Sequence, residues 1–89
     1  MQLTQFSDYS LRLVLYLAVN RDRVVPIAEV SQAYGISEHH LVKIVQRLVA
    51  DGTVASVRGR SGGLRLNREP ADINIGRLVR LTERFNLVE

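Results

Sequence analysis

Between Pro26 and Leu66 the chain passes through two short helix-forming segments and then a turn rich in glycine and arginine. That order limits the fold more than any other feature. Pro26 suits the first turn of a helix, and the segment it opens, to about Tyr34, stops at Gly35, which can take the left-handed conformation of a tight turn. Ser37 suits the cap of a further helix from Glu38 to about Ala50, with Gly52 as its stop. Val30, Ile36, Leu41 and Ile44 fall where two helices joined by a tight turn need apolar residues to lock together, and Ser31 is small where they would cross. The spacing predicts a helix–turn–helix over residues 26–51. Thr53 to Arg58 then alternates as a strand, Leu64 to Leu66 is its partner, and glycines turn the chain between them, giving a hairpin over residues 53–67. A helix–turn–helix followed by a basic hairpin is the plan of a winged helix, mainly α with a small β-hairpin.

The flanking segments complete one domain over residues 1–89. Thr4 or Ser7 can cap a first helix over residues 4–20, whose stretch Leu11 to Val19 has Arg12 as its single polar interruption apart from Tyr16. A helix apolar nearly all round needs burial on every side. Two readings stay open: a central core helix, or one whose outer face packs on a second chain. A last helix is predicted over residues 75–85, with Ile75, Leu78, Val79 and Thr82 on one face and Arg77, Arg80 and Arg84 on another. Pro70-Ala71-Asp72 reads as a loop, and the apolar tail Leu87-Val88-Glu89 reads as a chain interrupted.

Composition excludes several classes. The 89 residues include no cysteine, so neither a disulfide frame nor a thiolate metal site can form within them. The first residues lack a basic leader pattern and no apolar run reaches the ~20 residues of a membrane span, so a cytoplasmic protein with no membrane association is expected. Net charge is +3, unevenly spread. From His39 to Arg68 there are six basic residues and one acid, against six basic and eight acidic elsewhere. Positive charge thus gathers on the third helix and the hairpin, the two elements that a winged helix presents to nucleic acid.

On the third helix, His39, Lys43, Gln46 and Arg47 share one face opposite Leu41, Ile44 and Leu48. Together with the capping Ser37 and with His40 they are candidates to enter the major groove of double-stranded DNA, where Lys and Arg suit guanine edges or phosphate and Gln suits adenine. A merely solvated face is the alternative. In the turn, Arg58, Arg60, Ser61 and Arg65 surround Gly59, Gly62 and Gly63. Glycines let backbone approach a phosphate, and arginine can enter a narrow minor groove; an exposed hairpin without a ligand is the alternative. A nucleotide-phosphate loop would run from strand to helix, and this one runs from strand to strand. His39 and His40 are adjacent on a helix, so they point about 100° apart, and no third ligand lies near. Nothing resembles a catalytic constellation, and no enzyme is expected.

These residues carry a resemblance. Met1-Gln2-Leu3-Thr4, Asp8-Tyr9-Ser10-Leu11-Arg12, Tyr34-Gly35-Ile36-Ser37, Leu41-Val42-Lys43-Ile44 and Val57-Arg58-Gly59-Arg60-Ser61-Gly62-Gly63 resemble the bacterial winged-helix regulators typified by IscR, RirA and NsrR. The Arg-Gly-x-x-Gly-Gly pattern at the hairpin is the most specific part, and Asp8 with the Lys43-Ile44 context is most similar to the NsrR type. The resemblance implies a homodimeric transcriptional repressor on a palindromic operator, with an iron–sulfur cluster (4Fe–4S or 2Fe–2S) on three cysteines beyond the last helix and a long dimerisation helix after it. It implies a response to nitric oxide, with iron or cluster supply as the alternative signal. It also implies that Asp8 ligates the partner subunit's cluster, held in place by Arg12 four residues on. A first-turn acid favoured by the helix dipole accounts for Asp8 equally well. The absence of cysteine departs from the family pattern and places any cluster outside these residues. A winged helix that binds protein and not DNA is the reading from another class.

Overall fold

The computed structural model describes residues 4–83. Helix α1 (Gln5–Val19) is followed by α2 (Ile27–Tyr34), α3 (Glu38–Asp51), strands β1 (Val54–Val57) and β2 (Gly63–Leu66), a 3₁₀ turn (Pro70–Asp72) and α4 (Ile75–Thr82). This is the expected winged helix, four helices with a two-stranded antiparallel hairpin. Residues 84 and 85 of the predicted last helix lie outside the described residues.

Each boundary has a local cause. The Thr4 hydroxyl accepts from the Ser7 N–H at 3.1 Å and starts α1, and the Ser37 hydroxyl accepts from the His40 N–H at 3.2 Å and starts α3. Pro26 stands one position before α2, not inside its first turn. Gly35, at φ 67°, ends α2 in the left-handed conformation. Across the turn the Ser31 hydroxyl donates to the Ile36 carbonyl at 2.6 Å, which uses the small residue as a tie.

The core joins all the layers. Leu13 and Leu17 of α1, Val30 of α2, Leu41, Ile44 and Leu48 of α3, Val54, Leu64 and Leu66 of the hairpin and Leu78 of α4 are buried together. One expectation needs correcting. Ile75 does not share the buried face of α4 but is 53% exposed, because the helix packs through Leu78 and Thr82. The outer side of α1 is open as well, with Leu15 61% and Val19 76% exposed, so α1 is a core helix with one apolar flank left in solvent.

One element was not foreseen. Val25 pairs with Leu64 in an antiparallel bridge, through N–H to carbonyl bonds of 2.8 and 2.7 Å in both directions. It adds a one-residue third strand to the hairpin and ties the entrance of α2 to the wing.

Long-range polar ties hold α4. Arg77 meets Asp51, the last residue of α3, through two bonds of 2.9 Å, and this pairing holds the Asp51 carboxyl below its ordinary range. At the other end the Glu83 carboxylate accepts from the Ser7 hydroxyl, from the Thr4 hydroxyl at 2.6 Å and from the Thr4 N–H at 3.1 Å. Glu83 thereby serves the first turn of α1 from 79 positions away, and those hydrogen bonds lower its pKa.

Candidate nucleic-acid interface

Helix α3 presents its two flanks differently. Leu41, Ile44 and Leu48 are buried as expected, and His39, Gln46 and Arg47 are exposed, whereas Lys43 is half-buried. His40 departs from this face. It is half-buried, with its ring 6.4 Å from Tyr9 of α1 and 6.0 Å from His39. Ser37 is exposed, but its hydroxyl is engaged as the helix cap.

The hairpin ends in a tight turn. The Gly62 N–H bonds the Gly59 carbonyl at 2.9 Å, leaving Arg60 and Ser61 at the apex, both exposed. The glycines have separate causes. Gly59 has φ 108°, a conformation that side chains rarely adopt. A Cβ on Gly62 would stand 2.3 Å from the Val57 carbonyl oxygen, and one on Gly63 would stand 2.3 Å from that of Val25. The fold itself therefore demands Gly62 and Gly63, through close approach of the protein's own backbone and without reference to any phosphate.

An open groove of about 540 Å³ runs between the start of α2, the flank of α3 and the wing. Pro26, Ala28, Val42, Gln46, Arg58 and Gly59 are among its lining residues. The fold thus brings the third-helix candidate Gln46 and the wing candidates Arg58, Gly59, Gly62 and Gly63 around one depression. Arg65 is elsewhere: it lines a separate polar groove with Arg21, Arg68, Glu69 and Asp72. Strand alternation explains this, since Arg65 pairs with Ala55 and points away from the side on which Leu64 and Leu66 are buried.

Electrostatics sharpen the same face. Arg12 pairs with Asp8 at 3.0 Å, Arg21 with Glu69 at 2.8 Å, Arg23 with Glu29 and Arg77 with Asp51. Among the described residues no ion pair engages Arg58, Arg60 or Arg65 of the wing. Three of the six cations counted between His39 and Arg68 thus stand on the wing without an ion pair.

The groups implied for metal chemistry are not assembled here. No cluster of three His, Cys, Asp or Glu capable of holding a metal occurs among the described residues. Asp8 is half-exposed and accepts from the Arg12 guanidinium, which also stands 5.8 Å from the centre of the Tyr34 ring. A single carboxylate already engaged by an arginine is not a ligand set, so these residues do not by themselves fit an iron–sulfur cluster.

Comparison with known proteins decides the lineage. Residues 3–88 match the Rrf2 family, described as an iron-dependent transcriptional regulator. The chain belongs to the Rrf2 family. Within the Rrf2 family it is 47% identical over its whole length to the HTH-type transcriptional regulator NsrR of Bacillus subtilis (strain 168), of which it covers 62%. It superposes on CymR, the global cysteine regulator of B. subtilis, with a TM-score of 0.88 and 30% identity, over 93% of this chain and 65% of that one. For the IscR of T. potens the TM-score is 0.84 at 30% identity, over 91% of this chain and 60% of the other. The chain spans about three fifths of the length of the curated Rrf2 relatives it matches. Those relatives are named as transcriptional regulators. No described helix is long and apolar enough to cross a membrane.

Proposed function

We propose that these residues are the DNA-binding part of a sequence-specific, cytoplasmic transcriptional repressor of the NsrR type. The observation that carries the reading is the convergence of Gln46 on α3 with Arg58 and Gly59 of the wing around one groove, next to wing arginines free of acidic partners. In this reading α3 enters the major groove through His39, Lys43, Gln46 and Arg47, and Arg58, Arg60 and Ser61 reach the backbone or minor groove beside it. Ser37 and His40 contribute by holding the first turn of α3, and Arg65 contributes a phosphate contact from the outer side of the hairpin.

The signal is nitric oxide, acting through an iron–sulfur cluster whose thiolates come from sequence outside these residues. Similarity to NsrR supports this. By that similarity Asp8, with Arg12 beside it, is the candidate ligand to a partner subunit's cluster. The exposed apolar side chains Leu15 and Ile75, which line a small groove with Leu11, Val14 and Ile73, and the exposed Val19 of α1 support assembly as a homodimer on a palindromic operator. The iron-dependent description of the family favours a second signal, iron or cluster supply. Titrating nitric oxide and then iron against operator binding separates the two.

The DNA reading is tested by binding as a function of salt. A slope of log affinity on log salt near −0.9 for each phosphate contacted is expected, and a flat dependence would favour a protein-binding module. Lys43→Ala and Arg60→Ala should each weaken operator binding, by roughly 1–3 kcal/mol where they read bases. Unchanged titration curves for both variants would refute the placement. For the sensing half, the product of the native gene, purified without oxygen, should carry iron and sulfide.

A further inference from the structure

Val42 stands on the flank of α3 between the buried stripe and Gln46, one turn before Gln46, and it is 45% exposed. Isolated exposed valines are common on protein surfaces, but this one is not isolated. It lines the groove beside the wing together with Ala28 at the start of α2 and Pro26, and Val45 lies deeper in the same wall. The result is a patch of methyl and methylene groups set within the surface assigned above to DNA, with Gln46 at one side and Arg58 at another. Within the major groove one base-pair feature is apolar, the C5-methyl of thymine, and small aliphatic side chains are its usual partners.

We infer that Val42, backed by Ala28, is a specificity-determining residue that reads a thymine methyl, next to the base contacted by Gln46. The inference rests on the DNA-binding reading and deepens it: Gln46 suits adenine through its amide, and Val42 recognises thymine through contact alone. The pair together favours A·T-containing steps at that point of each half-site. Lys43 and Arg47 cannot supply this selectivity, because cations favour guanine edges and phosphates. Val42 is well placed for the role, since its exposed half lies against no described side chain of the core and its truncation leaves the buried stripe intact.

The experiment uses the native gene product and the duplex sequence that it selects from a random pool. Each thymine of the selected site is replaced in turn by deoxyuridine, which removes the methyl and leaves Watson–Crick pairing unchanged. For the unmodified protein, at least one position per half-site is expected to lose about fourfold in affinity, the worth of burying one methyl-sized group. For Val42→Ala the same replacement should have almost no effect, while the thermal midpoint stays within roughly 2 °C of the parent protein. The inference is overturned if no thymine is sensitive, or if Val42→Ala keeps the full sensitivity. A pool in which no sequence is enriched would overturn the DNA-binding reading itself, a result distinct from enrichment without methyl sensitivity.

Discussion

Gly63→Ala tests whether the wing glycines serve the fold or a ligand. The added Cβ would lie 2.3 Å from the Val25 carbonyl oxygen, 2.6 Å from its carbon and 2.9 Å from the Pro26 nitrogen. All three are backbone atoms, so no side-chain rotation relieves the contact. Non-bonded heavy atoms settle at roughly 3.5 Å, so the Val25 segment and β2 must part by about 1 Å. The two bonds between Val25 and Leu64, at 2.8 and 2.7 Å, then exceed hydrogen-bonding distance. Both residues are almost wholly buried, Val25 at 0% and Leu64 at 4% exposed, so water cannot replace the lost partners. Two bonds at about 0.5–1.5 kcal/mol each, with the added penalty of polar groups left buried, give a loss of roughly 2–4 kcal/mol. For a domain of this size that corresponds to a fall in Tm of at least roughly 8 °C. Thermal and urea unfolding followed by circular dichroism measure it. A Gly63→Ala protein that melts within about 2 °C of the parent but no longer binds DNA would refute the argument; it would mean that the glycine exists for the ligand's approach.

Other expectations follow from the same geometry. Leu48→Ala, at a site with no exposure in the last turn of α3, should cost about 2–5 kcal/mol in urea unfolding, and a loss under about 1 kcal/mol would mean that the site collapses around the gap. Arg77→Ala should lower the urea midpoint slightly by removing the partner of Asp51, and an Asp51→Asn background should abolish most of that effect in a double-mutant cycle. Glu29 is held at about 2 by its hydrogen bonds from Arg23 and then Tyr16, well below the ordinary 4.5. Its folded-state pKa is depressed, so its contribution is complete above about pH 4.5 and is lost as pH falls toward 2. Glu29→Gln should therefore flatten the acid limb of the stability curve, and an unchanged limb would place the acid sensitivity elsewhere, for instance at Asp51 or Glu83, which are lowered as well.

Local chemistry accounts for what could be read from the sequence. Gly35 and Ser37 fix the turn between α2 and α3 within three residues, and the buried set Val30, Ile36, Leu41 and Ile44 repeats at helical spacing. The hairpin was legible from Gly59, Gly62 and Gly63, although not the reason for two of them. The Val25 bridge left no trace, because pairing through a single residue has no periodicity. The ties from Arg77 to Asp51 and from Glu83 to Thr4 join residues 26 and 79 positions apart, a separation at which spacing carries no information. Strand alternation could have set Arg65 apart from the apex, since Leu64 and Leu66 on either side of it are core residues. A helical projection could likewise have shown Val42 turned about 100° from Leu41 toward Gln46, but an aliphatic residue in an amphipathic helix is ordinarily taken for core.

The distribution of partners, more than the number of charges, sets the character of the wing. A net charge of +3 on 89 residues is modest, and a molecule with its acids spread evenly would offer little attraction to a polyanion. Here Asp8, Glu29, Asp51 and Glu69 each hold an arginine outside the wing, and Glu83 is turned onto the first turn of α1. These pairs offset much of the charge outside the wing, and the bonds of Asp51 and Glu83 tie α4 to α3 and to the start of α1. Among the described residues Arg58, Arg60 and Arg65 of the wing form no ion pair, as is also true of Arg80 on α4, and no acid lies between Val54 and Asn67. Substituting an acid outside the wing should thus disturb the stability of the domain well before it alters attraction to DNA, whereas introducing one at Ser61 should do the reverse. Ser61→Glu is expected to leave the melting temperature nearly unchanged and to lower operator affinity together with its salt slope. Equal losses in both measurements would mean that the apex is part of the fold's support and not a surface set aside for a partner.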